Sequence, residues 1–101
     1  MAALAIGDRK GLETSLRLHD ELTPGSPAKA QLQQKLSARL IQFGLQRFDD
    51  RDYVDAAWSL CESFEINATA ARSDARVTKE LREAEKRLAR DRGFQPCRAA
   101  R

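Results

Sequence analysis

The sequence predicts an all-α protein of about four helices, folded back on one another as antiparallel hairpins. Three observations carry this expectation. Ala, Leu, Arg, Gln and Glu dominate the 101 residues, and these are strong helix formers. No run alternates apolar and polar residues with the period of a strand. Thr23-Pro24-Gly25, Asp49-Asp50-Arg51-Asp52 and Gly93 punctuate apolar stretches of helical period, leaving connections of only a few residues.

Taken in order, Asp8 is placed to cap a first helix running to about Leu22, with Leu12, Leu16, Leu18 and Leu22 as its apolar residues and Pro24-Gly25 as its stop. Ser26 followed by Pro27 is a cap and first-turn pair, opening a long second helix. Its residues Leu32, Leu36, Leu40, Ile41, Phe43, Leu45 and Phe48 cover more than one face, which predicts neighbours on two sides. The aspartates at 49, 50 and 52 offer caps for a third helix that turns Tyr53, Ala56, Ala57, Leu60, Cys61 and Phe64 to the core. Asn67 is expected to end it in a left-handed conformation. A fourth helix, from about Thr69 to Arg92, aligns Val77, Leu81, Ala84 and Leu88 and stops at Gly93. Residues 1–93 then form one domain and 94–101 a flexible basic tail.

Length and composition bound the rest. A chain this long buries roughly two-thirds of its unfolded surface, enough for one core. With 42% apolar and 33% charged residues it falls among globular chains rather than disordered ones. The net charge of +3 is uneven: residues 1–71 hold 8 Lys/Arg and 10 Asp/Glu, while residues 72–101 hold 10 and 5. Cys61, in an apolar stretch, and Cys97, in the tail, form neither a disulfide framework nor a metal-binding spacing. They are expected to stay unpaired in a reducing cytoplasm, Cys61 as a small core residue. The opening Met-Ala-Ala-Leu-Ala-Ile-Gly has no basic leader, and no run approaches the ~20 apolar residues of a membrane span, so no membrane association is expected.

Residues 7–16 can be laid over residues 51–60, an offset that places Leu12 on Ala56 and Leu16 on Leu60. Phe43-Gly44 followed by Asp52-Tyr53-Val54-Asp55-Ala56, with Leu60 and Phe64 behind, resembles the tetratricopeptide repeat (TPR) family. In that family the first helix of a unit carries a Leu-Gly-like pair, and the second opens with Gly-Asp-Tyr followed by Glu-Ala. The likeness covers about residues 40–68, with residues 7–25 as a half repeat. The second helix is about ten residues longer than the usual unit, and Ala68 stands where the pattern has its closing proline. The resemblance implies a TPR-like right-handed array of helical hairpins and a protein-binding role. The residues themselves make the pattern reasonable, because Gly44 and Ala56 let two backbones approach while Phe43, Tyr53 and Phe64 fill the space beside them.

Catalytic chemistry finds no support. His19 has Leu16 and Leu22 three residues to either side and is expected to edge the core; no partner set is visible for it as a base. Cys61 has no neighbouring group that would lower its pKa. Counted from Asp50, the sixth and twelfth places of a calcium loop hold Asp55 and Cys61 instead of glycine and glutamate, so the aspartates are expected to be a solvated helix start. With no glycine-rich phosphate loop either, no enzyme activity, metal or cofactor is expected.

Binding is the function class that remains: an adaptor, scaffold or chaperone-like module holding a peptide or helical partner in a groove. Lys35, Arg39, Gln42, Gln46 and Arg47 on the second helix are the candidate groove residues, and their charge suits an acidic peptide or a C-terminal carboxylate. Trp58 sits beside the inward stripe; exposed, it would anchor a partner, while neighbours stacked on both faces of this helix would bury it, which is the favoured expectation. The apolar stripe of the fourth helix is a second docking face, for another copy of the chain or a different helical protein. The alternative is nucleic-acid binding through Arg72, Arg76, Lys79, Arg82, Lys86, Arg87, Arg90, Arg92, Arg98 and Arg101. Interleaved Glu80, Glu83 and Glu85 and the near-absence of aromatics other than Phe94 weigh against it.

Overall fold

The computed structural model describes residues 9–91 and 93–98. Among them the chain forms five helices and no strand: α1 (Arg9–Glu21), α2 (Pro27–Asp49), α3 (Tyr53–Ile66), α4 (Ala68–Ser73) and α5 (Ala75–Leu88). Asp8, the expected first cap, lies outside the described residues, as do Arg92 and residues 99–101.

Local chemistry accounts for the boundaries. Gly25, at φ 82°, turns the chain after α1, and the Ser26 side chain then accepts the backbone N–H of Lys29, with Pro27 in the first turn of α2. Asp52 caps α3 by accepting the N–H of Asp55. Between α2 and α3 the backbone passes through a left-handed residue, Arg51 at φ 64°.

The expected fourth helix is two. Asn67 is extended (φ −154°, ψ 84°) rather than left-handed, and it caps α4 by accepting the N–H of Ala70. Ser73 folds its hydroxyl back onto the carbonyls of Thr69 and Ala70, and Asp74, also extended, starts α5 by accepting the N–H of Arg76. Both side chains offer the backbone an alternative to the helical ladder, and the helix breaks where they are adjacent. The break leaves Ala71 and Val77 in one buried cluster.

α2 and α3 form an antiparallel hairpin. Gln33 donates to the Ile66 carbonyl at 2.6 Å, the Ser59 hydroxyl donates to the Leu40 carbonyl at 2.6 Å, and near the turn Phe48 meets Tyr53 edge to face. The backbones come close at Gly44, where a Cβ would stand 2.6 Å from Leu60 Cδ2 and Cγ and 3.3 Å from its backbone nitrogen. Ala56, one turn before Leu60 on α3, is fully buried.

The core is built on both sides of this pair. Leu12, Leu36, Leu40 and Phe43 make one cluster, with Leu16, Trp58 and Ile66 at its edge. Ala57, Leu60, Phe64, Ala71, Val77, Leu81, Ala84 and Leu88 make the other, against which α2 packs Ile41, Leu45 and Phe48. The two-faced pattern of α2 thus reflects a helix between two groups of neighbours. Leu36, Leu40, Leu60 and Leu81 are at most 2% exposed, and each such burial contributes roughly 1.5–3 kcal/mol. Arg76 ties the start of α5 to the end of α2, reaching Asp49 at 2.7 Å and Glu80 at 2.9 Å.

The cysteines depart from the sequence expectation. Cys61 and Cys97 form a disulfide, so Cys61 is not a lone core thiol. Nor are residues 94–98 splayed from the domain. The chain reverses at Gly93 (φ 89°), Phe94 packs against the second cluster, Cys97 is buried, and its backbone N–H donates to Glu85 Oε2 at 2.6 Å.

Candidate functional site

The reversal at Gly93 lays residues 94–98 alongside α3 and leaves an open groove of about 560 Å³ between them. Volumes of this size are typical of ligand sites. α3 supplies Val54, Ala57, Trp58, Cys61, Glu62 and Glu65, one stripe set by helical spacing, of which Val54 and Glu65 are exposed and Ala57 is buried. The opposite wall is Phe94, Gln95, Pro96, Cys97 and Arg98; the end of α5 and the turn after it add Glu85, Leu88 and Asp91, and Arg9 of α1 reaches in from the side. The floor is apolar, and Val54 leaves 57% of its surface in solvent there.

Trp58 is the central feature of the floor. One edge of its ring is held by Phe43, with centroids 6.4 Å apart at nearly a right angle. Its face carries the Arg9 guanidinium at 4.3 Å, and Arg9 is fixed in turn by Asp55 at 2.8 Å and Glu13 at 3.4 Å. The indole face therefore already holds a cation, an arrangement favoured by the ring quadrupole.

The groove is acidic on a chain that is basic overall. Glu62, Glu65, Glu85 and Asp91 line it, against Arg9 and Arg98. Glu85 is satisfied by the Cys97 N–H, while Glu62, Glu65 and Asp91 form no ion pair among the described residues. Burial holds the Glu62 carboxyl above the usual carboxylate range, Glu65 and Asp20 push in the same direction, and Arg9 opposes them.

Of the six partner-binding candidates named from the sequence, only Trp58 lies in this groove, whose lining also includes Cys61, Phe94 and Arg98. Lys35, Arg39, Gln42 and Gln46 are exposed along one side of α2, and Arg47 stacks on the Phe43 ring at 5.0 Å. His19 is buried on α1 with its Nδ1 3.7 Å from Asp20. The aspartates near the α2–α3 turn are separately engaged: Asp49 by Arg76, Asp52 as a cap and Asp55 by Arg9. On α5, Arg76 and Arg87 are paired with acidic neighbours and Arg87 also stacks on Tyr53, while Lys79, Arg82 and Lys86, and Arg90 in the turn after the helix, are exposed. Among the described residues no helix is long and apolar enough to cross a membrane.

The described residues define a small all-helical domain with an open, apolar-floored groove beside α3. No protein-family model matches the chain, and no curated protein or solved structure matches it.

Proposed function

We propose that the protein is an interaction module that holds a peptide or helical segment of a partner in the groove beside α3, rather than an enzyme. The observation that carries this is the groove floor, where Val54 and the free part of Trp58 present apolar surface between two walls of the same domain. The TPR-like reading belongs to this proposal. It is supported by the antiparallel α2–α3 hairpin, by the close contact at Gly44, and by the left-handed backbone at Arg51, where the pattern of that family has glycine.

The test is a peptide-array screen with wild-type protein and the exposed variant Val54→Asp, with solution mass followed by light scattering over a concentration series. Sequences bound by wild type and lost in Val54→Asp support the groove. Binding that ignores the substitution refutes it, and a concentration-dependent dimer that Val54→Asp dissociates makes a second copy the occupant. The nucleic-acid alternative draws on exposed Lys79, Arg82 and Lys86 of α5 and Arg90 in the turn after it. It requires steeply salt-dependent binding of a generic oligonucleotide, and no binding at low salt removes it.

A further inference from the structure

We infer that the occupant of the groove is a cationic amphipathic segment, one that lays apolar side chains on Val54 and Trp58 and directs Lys or Arg at Glu62, Glu65 and Asp91. This rests on the proposal that the groove is the binding site and names the chemistry of its partner.

Two independent features lead to it. The first is charge. The groove concentrates carboxylates without ion-pair partners on a protein of net charge +3, so the local field opposes that of the whole molecule. Arg9, a lining cation, is already shared between Asp55 and Glu13, and among the described residues Arg98 is the other cation of the lining. Carboxylates spaced along a helix beside an apolar strip attract basic partners, speed their encounter and reject acidic ones.

The second feature is an internal example of the contact. Arg9 lies on the Trp58 face at 4.3 Å while its guanidinium bonds the Asp55 carboxylate at 2.8 Å. The floor is thus chemically suited to a guanidinium or ammonium held between an aromatic face and a carboxylate. Further along α3, Glu62 and Glu65 stand one and two turns beyond Trp58 and form no ion pair among the described residues, Arg9 acting on Glu62 only at longer range. A bound segment with basic residues at helical spacing completes there what Arg9 does at the near end. This is the opposite charge class from the acidic peptide expected of Lys35, Arg39 and Arg47, which lie outside the groove.

The experiment uses three synthetic helical peptides of one pattern, leucine with lysine, leucine with glutamine and leucine with glutamate, titrated calorimetrically into the oxidised protein. The lysine peptide is expected to bind about tenfold tighter than the glutamine peptide, with the gap closing as salt rises, and the glutamate peptide not to bind. Glu62→Lys/Glu65→Lys should weaken the lysine peptide about tenfold or more, and Glu62→Gln/Glu65→Gln should do so by a smaller factor without adding charge. Asp50→Lys, away from the groove, should leave it unchanged. Equal binding of the lysine and glutamine peptides, both lost in Val54→Asp, overturns the charge inference and leaves the groove standing. Binding of none of the three, or binding insensitive to Val54→Asp, overturns both.

Discussion

Replacing both cysteines by serine, as Cys61→Ser/Cys97→Ser, removes the one covalent link between α3 and the segment that walls the groove. The bridged residues are 36 apart in sequence. Closing a loop of that size in the unfolded chain removes about 13 cal/mol/K of entropy, or about 4 kcal/mol at ~25 °C. Small domains are stable by only about 5–15 kcal/mol in total, so this is a large share. Urea unfolding followed by circular dichroism measures it: with a slope of about 1 kcal/mol/M, the midpoint should fall by about 3–4 M. Wild type in a dithiol reductant should show a similar fall, and the double variant should ignore the reductant. Amide exchange at Cys97, whose N–H is held by Glu85, should accelerate in both. A midpoint that moves by less than about 0.5 M would show that the bridge does not constrain the unfolded chain.

Other substitutions probe the packing and the site. Gly44→Ala gains about 1 kcal/mol of helix propensity but drives a Cβ into the buried Leu60 side chain, so a net loss of about 1–2 kcal/mol is expected; a rise in melting temperature would contradict the close approach. Ala56→Leu should lose about 1–3 kcal/mol by overpacking, and an unchanged melting temperature would count against the hairpin. Ser26→Ala removes the cap of α2 and should lower stability by about 1 kcal/mol, read from denaturant midpoints. Glu62→Gln tests the raised Glu62 pKa. Because the folded carboxyl holds its proton to higher pH than the unfolded one, wild-type stability drops as pH rises through that interval. The variant should therefore be the more stable protein at neutral pH and equal to wild type below the carboxylate range; a difference that persists in acid would refute the assignment.

Local signals in the sequence carried far. Ser26-Pro27 and Asp52 cap the helices they were expected to cap, because a capping side chain acts within three residues of itself. The two-faced pattern of α2 and the small residues Gly44 and Ala56 anticipated a helix gripped on two sides. The break at Asp74 was hidden because the apolar spacing of α5 continues in register behind it, and one Asp inside an Ala- and Arg-rich run reads as solvent-facing. The disulfide and the groove depend on the reversal at Gly93, which brings residues 94–98 back to α3 from more than thirty positions away. Nothing in the pattern around Cys61 or Cys97 specifies that pairing. Trp58 stood out beside the inward stripe, and it is partly buried against the first cluster while lining the groove; Glu62 and Glu65 read as ordinary helix charges until the second wall stood opposite them.

Trp58 is the only tryptophan in the chain, and it forms part of the groove floor beneath Arg9. The protein therefore carries its own optical reporter at the place where a partner would sit. A ligand that covers the indole or lifts Arg9 from it alters the polarity around a single fluorophore, so a shift in emission wavelength identifies occupancy of this groove without a label. The remaining aromatics, one tyrosine and four phenylalanines, contribute little when tryptophan is excited selectively. The same signal distinguishes a ligand in the groove from one on the basic face of α5, because the residues exposed there include no tryptophan.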